Sequence, residues 1–84
     1  MEFGYDHVHF VCRDVPAMAE YFERVFGAES LSFDPDLKGA PNAVLRLGPV
    51  RLFVRGVRPG ESPDAAAPGL VEGLDHFGLA VEDV

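Results

Sequence analysis

Two segments of this chain carry one pattern. DHVHFVCRDV begins at Asp6 and DHFGLAVEDV begins at Asp75, and the two align without a gap. Asp and His open both, the penultimate Asp and the final Val close both, and the pairs Val8/Phe77, Phe10/Leu79 and Cys12/Val81 stay apolar. Self-similarity of this kind marks a repeated supersecondary unit. The fold must therefore be one that uses a module opening on this strand twice, with only the opening of the second copy present in these 84 residues.

What lies between the copies defines the module. Tyr5 to Cys12 is rich in β-branched and aromatic residues and lacks Gly and Pro, so it reads as a strand. Side chains alternate, which puts His7, His9 and Val11 on one face and Val8, Phe10 and Cys12 on the other. The second face is uniformly apolar and should pack on a helix. RDVPAMAEYFERVFGAE supplies that helix. Asp14 is suited to cap its first turn, Pro16 is tolerated there, and Gly27 can end it in the left-handed conformation. Met18, Phe22 and Val25, flanked by Tyr21 and Phe26, have the spacing of a core stripe.

Glu29 to Phe33 reads as a second strand, and DPDLKGAPN, 34 to 42, as a turn-rich loop. Ala43–Leu47 and Val50–Arg55 read as a hairpin around Gly48-Pro49. GVRPGESPDAAAPGLVEG, 56 to 73, holds three prolines and four glycines and reads as a linker. The predicted fold class is α+β: a βαβββ module over 1–57, a linker over 58–73, and the first strand of a second module over 74–84. Asp83 stands where Asp14 stands, as the cap of a helix that this sequence does not contain.

Charge and cysteine content narrow the function classes. The net charge is −7 and the seven basic residues are scattered singly, which argues against nucleic-acid binding. An acidic small molecule stays possible, because a few local arginines can override the global field. One cysteine excludes an internal disulfide framework and fits a reducing cytoplasm. No basic-then-apolar leader precedes Tyr5, and no run reaches the roughly 18 apolar residues of a membrane span.

DHVHFVCRDV, a helix ending YFERVFGAE, and a second DHFGLAVEDV together resemble the vicinal oxygen chelate superfamily, which includes glyoxalase I, bleomycin-resistance proteins and extradiol dioxygenases. The resemblance implies two βαβββ modules curled around a cup with a divalent metal on its floor. It implies His7 and His76, the matching histidines of the two opening strands, as metal ligands. The family usually adds a Glu or Gln from the last strand of the first module and a Glu from the last strand of the second. Phe53 stands near the first of these positions, and the second lies in a strand the sequence lacks.

A lone strand histidine is most simply read as bonded to a backbone carbonyl, but its recurrence at His76 favours ligation. Imidazole suits Fe, Ni and Zn better than Mg, so the expected cofactor is a divalent transition metal, Fe, Ni, Zn or Mn. The sequence thus carries two functional readings. One is part of a metal-dependent lyase, isomerase or dioxygenase acting on a substrate with vicinal oxygens. The other is a metal-free binding module of the bleomycin-resistance kind, or an inactive fragment. In either functional case His9, Arg51 and Phe53 would contact the small molecule, the arginines through bidentate hydrogen bonds to an acidic group. Arg55 shares their face. Cys12 sits on the apolar side and reads as core. An uncovered sheet face implies a homodimer.

Overall fold

The computed structural model describes residues 1–63, 72, 74 and 77–82. Five elements follow in chain order: β1 (His7–Val11), α1 (Val15–Phe26), β2 (Glu29–Leu37), β3 (Ala40–Leu47) and β4 (Val50–Arg55). The strands form one sheet in the order β1-β4-β3-β2. β1 runs parallel to β4, and the other neighbours are antiparallel. This is the predicted βαβββ module, with α1 as the crossover that lets β1 and β4 lie parallel.

The helix starts and stops where its sequence dictates. The Ala17 amide donates to Asp14 Oδ1 at 3.1 Å, satisfying one of the orphan donors of the first turn. Gly27 ends it at φ 71°, and its N–H donates to Glu23 O. The face turned inward differs from the predicted stripe. Val15 and Phe22 are buried, with Met18 and Ala19 packed beside them, whereas Tyr21, Val25 and Phe26 are exposed. The helix packs mainly on β3 and β4, where Phe22 meets Leu45 and Leu52, and its ring also contacts Phe26, which Tyr21 meets edge-on.

Between helix and sheet lies a small core. Leu45, Leu52 and Val54 are inaccessible, as is Val15 above them. Leu45 of β3 and Leu52 of β4 are directly paired, and so are Ala43 and Val54. Each such pair places two side chains on the helix face and leaves the residues between them on the other.

The segment 34–42, expected as a loop, is instead the far end of a hairpin. β2 continues to Leu37 and β3 begins at Ala40, joined by Lys38 (φ 55°) and Gly39 (φ 92°). Two consecutive positive φ values are those of a type I′ turn, whose twist suits a two-residue hairpin. Pro35 is compatible because β2 is an edge strand, and the ladder is irregular between Asp34 and Leu37. At the β3–β4 turn Gly48 (φ 60°) precedes Pro49, the residue order of a type II′ turn.

Leu74 and Phe77–Glu82, from the second copy of the repeat, lie outside the sheet, and these residues carry no strand ladder. Phe77 packs on Phe10 at 5.8 Å between ring centroids, on the helix side. A strand forms only against a partner, and these described residues pair with neither edge of the sheet.

Candidate functional site

The open face of the sheet is built by alternation. Leu52 and Val54 point to the helix, so Arg51, Phe53 and Arg55 point away from it. In the parallel ladder His7 lies beside Arg51, His9 beside Phe53, and Val11 beside Arg55. Across β3, Val44 faces Phe53 and Arg46 faces Arg51. His7, His9, Arg51 and Phe53, singled out from sequence, therefore share one surface.

Phe53 is its centre. The His7 imidazole stacks on the phenyl ring at 4.3 Å between centroids and 11° between planes. His9 meets the same ring edge-on at 5.6 Å and 77°. The Arg51 guanidinium carbon lies 5.7 Å from the ring centroid, within cation–π range. His7 and His9 are themselves 6.4 Å apart.

Asp6 holds two of these groups. His7 Nδ1 donates to Asp6 Oδ2 at 2.8 Å, and Arg51 Nη2 donates to Asp6 Oδ1. The hydrogen bond from His7, followed by that from Arg51, holds the Asp6 carboxyl below the usual carboxylate range. Because a carboxylate only accepts, the His7 proton sits on Nδ1, leaving Nε2 as the ring's acceptor. His9 is pushed down from its ordinary value, first by burial and then by electrostatic interaction with His7 and with the Arg55 and Arg58 guanidinium groups.

Arg55 is engaged more firmly. Its two terminal nitrogens donate to the two oxygens of Glu61 at 2.7 and 3.2 Å, and the Arg58 amide donates to the same carboxylate at 2.8 Å. These bonds, the Arg55 pair foremost, pull the Glu61 carboxyl down to about 2. Arg58-Pro59-Gly60-Glu61 closes a turn through Glu61 N–H to Arg58 O at 3.0 Å, with Gly60 at φ 83°. Pro at the second position and a positive-φ Gly at the third define a type II turn. Glu61, Arg58 and Asp6 are the contacts sequence reading missed. The RPGE tetrapeptide was the available signal, since it brings Glu61 back beside the strand end it follows.

Clefts border the sheet on both faces. One of about 410 Å³ lies at the Arg55 end of the open face, lined by Val11, Arg55, Glu61, Ser62 and Pro63. A larger one of about 560 Å³ lies on the helix side, with Phe26, Leu47, Pro49, Val50 and Phe77 among its walls. It is almost wholly apolar and holds none of the predicted site residues. Cys12 packs beside Val15, Ala43 and Val54, and burial pushes its thiol up. A raised thiol pKa removes the nucleophilic thiolate.

The metal expectation meets a sparse donor set. Among the described residues no three His, Cys, Asp or Glu side chains converge on a point that could hold an ion. Phe53, not a carboxylate, lies against His7, and Asp6 is already bonded to His7 and Arg51. The described donors alone do not fit a metal. His76 lies outside the described residues.

No family model matches the chain, and no curated protein matches it. Among solved structures, a single-residue variant of the genomically encoded fosfomycin resistance protein FosX from Listeria monocytogenes, complexed with Mn(II) and 1S,2S-dihydroxypropylphosphonic acid, superposes with a TM-score of 0.64. The match covers 84% of this chain and 56% of that chain at 14% sequence identity. The chain shares its fold. The α+β βαβββ module expected from the sequence is the architecture found. The chain spans little more than half the length of FosX, and identity this low speaks for fold alone. Among the described residues no helix is long and apolar enough to cross a membrane.

Proposed function

We propose that this chain is a vicinal-oxygen-chelate-type module that binds a small molecule carrying an aromatic ring and an acidic group on its open sheet face. The observation that carries this reading is Phe53 set among His7, His9 and Arg51, with Arg55 at the edge of the same surface. Rings supply a stacking surface, and a guanidinium recognises a carboxylate or phosphonate bidentately. Neither nucleic acid nor membrane enters this reading, and the cytoplasm is the compartment that its single free thiol suits.

Mapping by nuclear magnetic resonance tests it. On titration with a panel of aromatic acids, the largest shifts are expected at His7, His9 and Phe53, and Phe53→Ala should weaken binding by about tenfold, as loss of a buried stacking ring does. Shifts confined to the helix side would overturn the reading.

A second reading has its own support. Asp6 orients His7 as outer-sphere carboxylates orient metal-bound histidines, leaving Nε2 for coordination. With His76 and a carboxylate from further chain or from a second copy, a divalent transition metal would find the donors that the described residues lack. Lyase, isomerase or dioxygenase activity belongs to that reading. Elemental analysis of protein purified without chelators separates the two: stoichiometric Fe, Ni, Zn or Mn favours the metal centre, and its absence excludes it. A homodimer, in which two open faces complete each other's cup, is compatible with either.

A further inference from the structure

We propose that Glu61 is a built-in occupant of an anion site, so that the chain's own carboxylate sits where the acidic group of an external ligand binds. This deepens the aromatic-acid reading and rests on it. The argument begins with Arg55. It projects on the same face as His9 and Phe53, at the end of the aromatic cluster, and its fork is filled by both oxygens of Glu61. The Arg58 amide completes the pocket from a third direction. Two guanidinium N–H groups and one backbone N–H converging on one carboxylate are the donor set by which proteins bind free carboxylates.

Among the described residues, the strap that delivers Glu61 has few other ties. It is a type II turn whose Pro59 rests on Gly39, and Arg13 Nη2 donates to Pro63 O at 3.1 Å. Glu61 and Ser62 are exposed, and the 410 Å³ cleft opens between them and Val11. A carboxylate entering that cleft finds Arg55 directly, with Phe53 and His9 next along the face to receive an attached ring. Exposed ion pairs are weak enough for a ligand carboxylate to exchange with an internal one. In a protein of net charge −7, this internal anion also shields Arg55 from casual anions.

Competition of this kind reduces apparent affinity by the fraction of time the strap is closed. The test compares benzoate with benzamide on the wild-type chain, Glu61→Gln and Arg55→Met, by calorimetry at low ionic strength. The proposal expects Glu61→Gln to bind benzoate about fivefold more tightly than wild type, the ratio set by a modest ion pair. Benzamide should show no such gain, and Arg55→Met should abolish it. In wild-type protein, benzoate should also move the amide resonances of Gly60, Glu61 and Ser62 towards unstructured values.

Equal or weaker benzoate binding by a folded Glu61→Gln, with wild-type protein still binding, sinks the strap and leaves the aromatic-acid reading intact. Absence of binding by both proteins sinks both. Strap resonances that stay fixed while Phe53 shifts overturn the displacement without recourse to any variant.

Discussion

Glu61 is the residue whose behaviour in solution is most sharply specified. Its carboxyl titrates near 2 because Arg55 and the Arg58 amide favour the charged form. The folded value lies below its ordinary 4.5, so the clasp contributes stability above that pH and loses it as the pH falls towards 2. A pH titration of the Glu61 side-chain carbonyl resonance should show a midpoint near 2 in wild type and a return towards 4.5 in Arg55→Met. A midpoint near 4.5 in the wild-type chain would show that the pair does not form in solution. At this scale the sequence was partly legible. Alternation alone put His7, His9, Arg51, Phe53 and Arg55 on one surface, because a strand's period of two needs no tertiary information. That Asp6 would bridge His7 and Arg51 was not legible: it depends on which strand lies beside β1, and the parallel β1–β4 pairing is a property of the whole module.

At the level of elements, local signals served where they were chemically unambiguous. Asp14 and Gly27 bounded the helix as expected because caps are decided within a turn of the chain. Spacing gives a face and not its depth: Val15 precedes the apparent periodicity yet lies deepest, while Val25 and Phe26 are exposed. Asp34, Pro35, Asp36, Gly39 and Asn42 suggest a loop after Phe33, and only the place of β2 at the sheet edge makes Pro acceptable within it. Two substitutions test these elements. Asp14→Ala should lower stability by about 1 kcal/mol in thermal or denaturant unfolding, the usual cost of an N-cap acceptor. Gly39→Ala should cost about 1–2 kcal/mol for an L-residue at positive φ. Its new Cβ would also lie 2.7 Å from Pro59 Cδ, so the turn bearing Glu61 must shift. The second substitution is therefore expected to raise the Glu61 titration midpoint as well, whereas Asp14→Ala should leave it alone.

For the molecule as a whole, the question is what covers the open face. One helix shields one side of a four-stranded sheet, and on the other side Val11 and two imidazoles are exposed and Val44 and Phe53 half-buried. Edge-to-edge growth through β2 is discouraged by Pro35, by Asp34 and Asp36, and by two irregularities in the ladder, the devices that protect natural edge strands. Association is therefore expected face to face. Sedimentation equilibrium at micromolar concentration should give a dimer, and Val44→Glu, which buries a charge in that contact at a cost no exposed position would impose, should shift it to monomer. The same substitution on a monomeric chain would change nothing in the sedimentation profile. A wild-type monomer would mean that the aromatic cluster stands open on a single copy, with Glu61 at its cationic end as the chain's own acid in place.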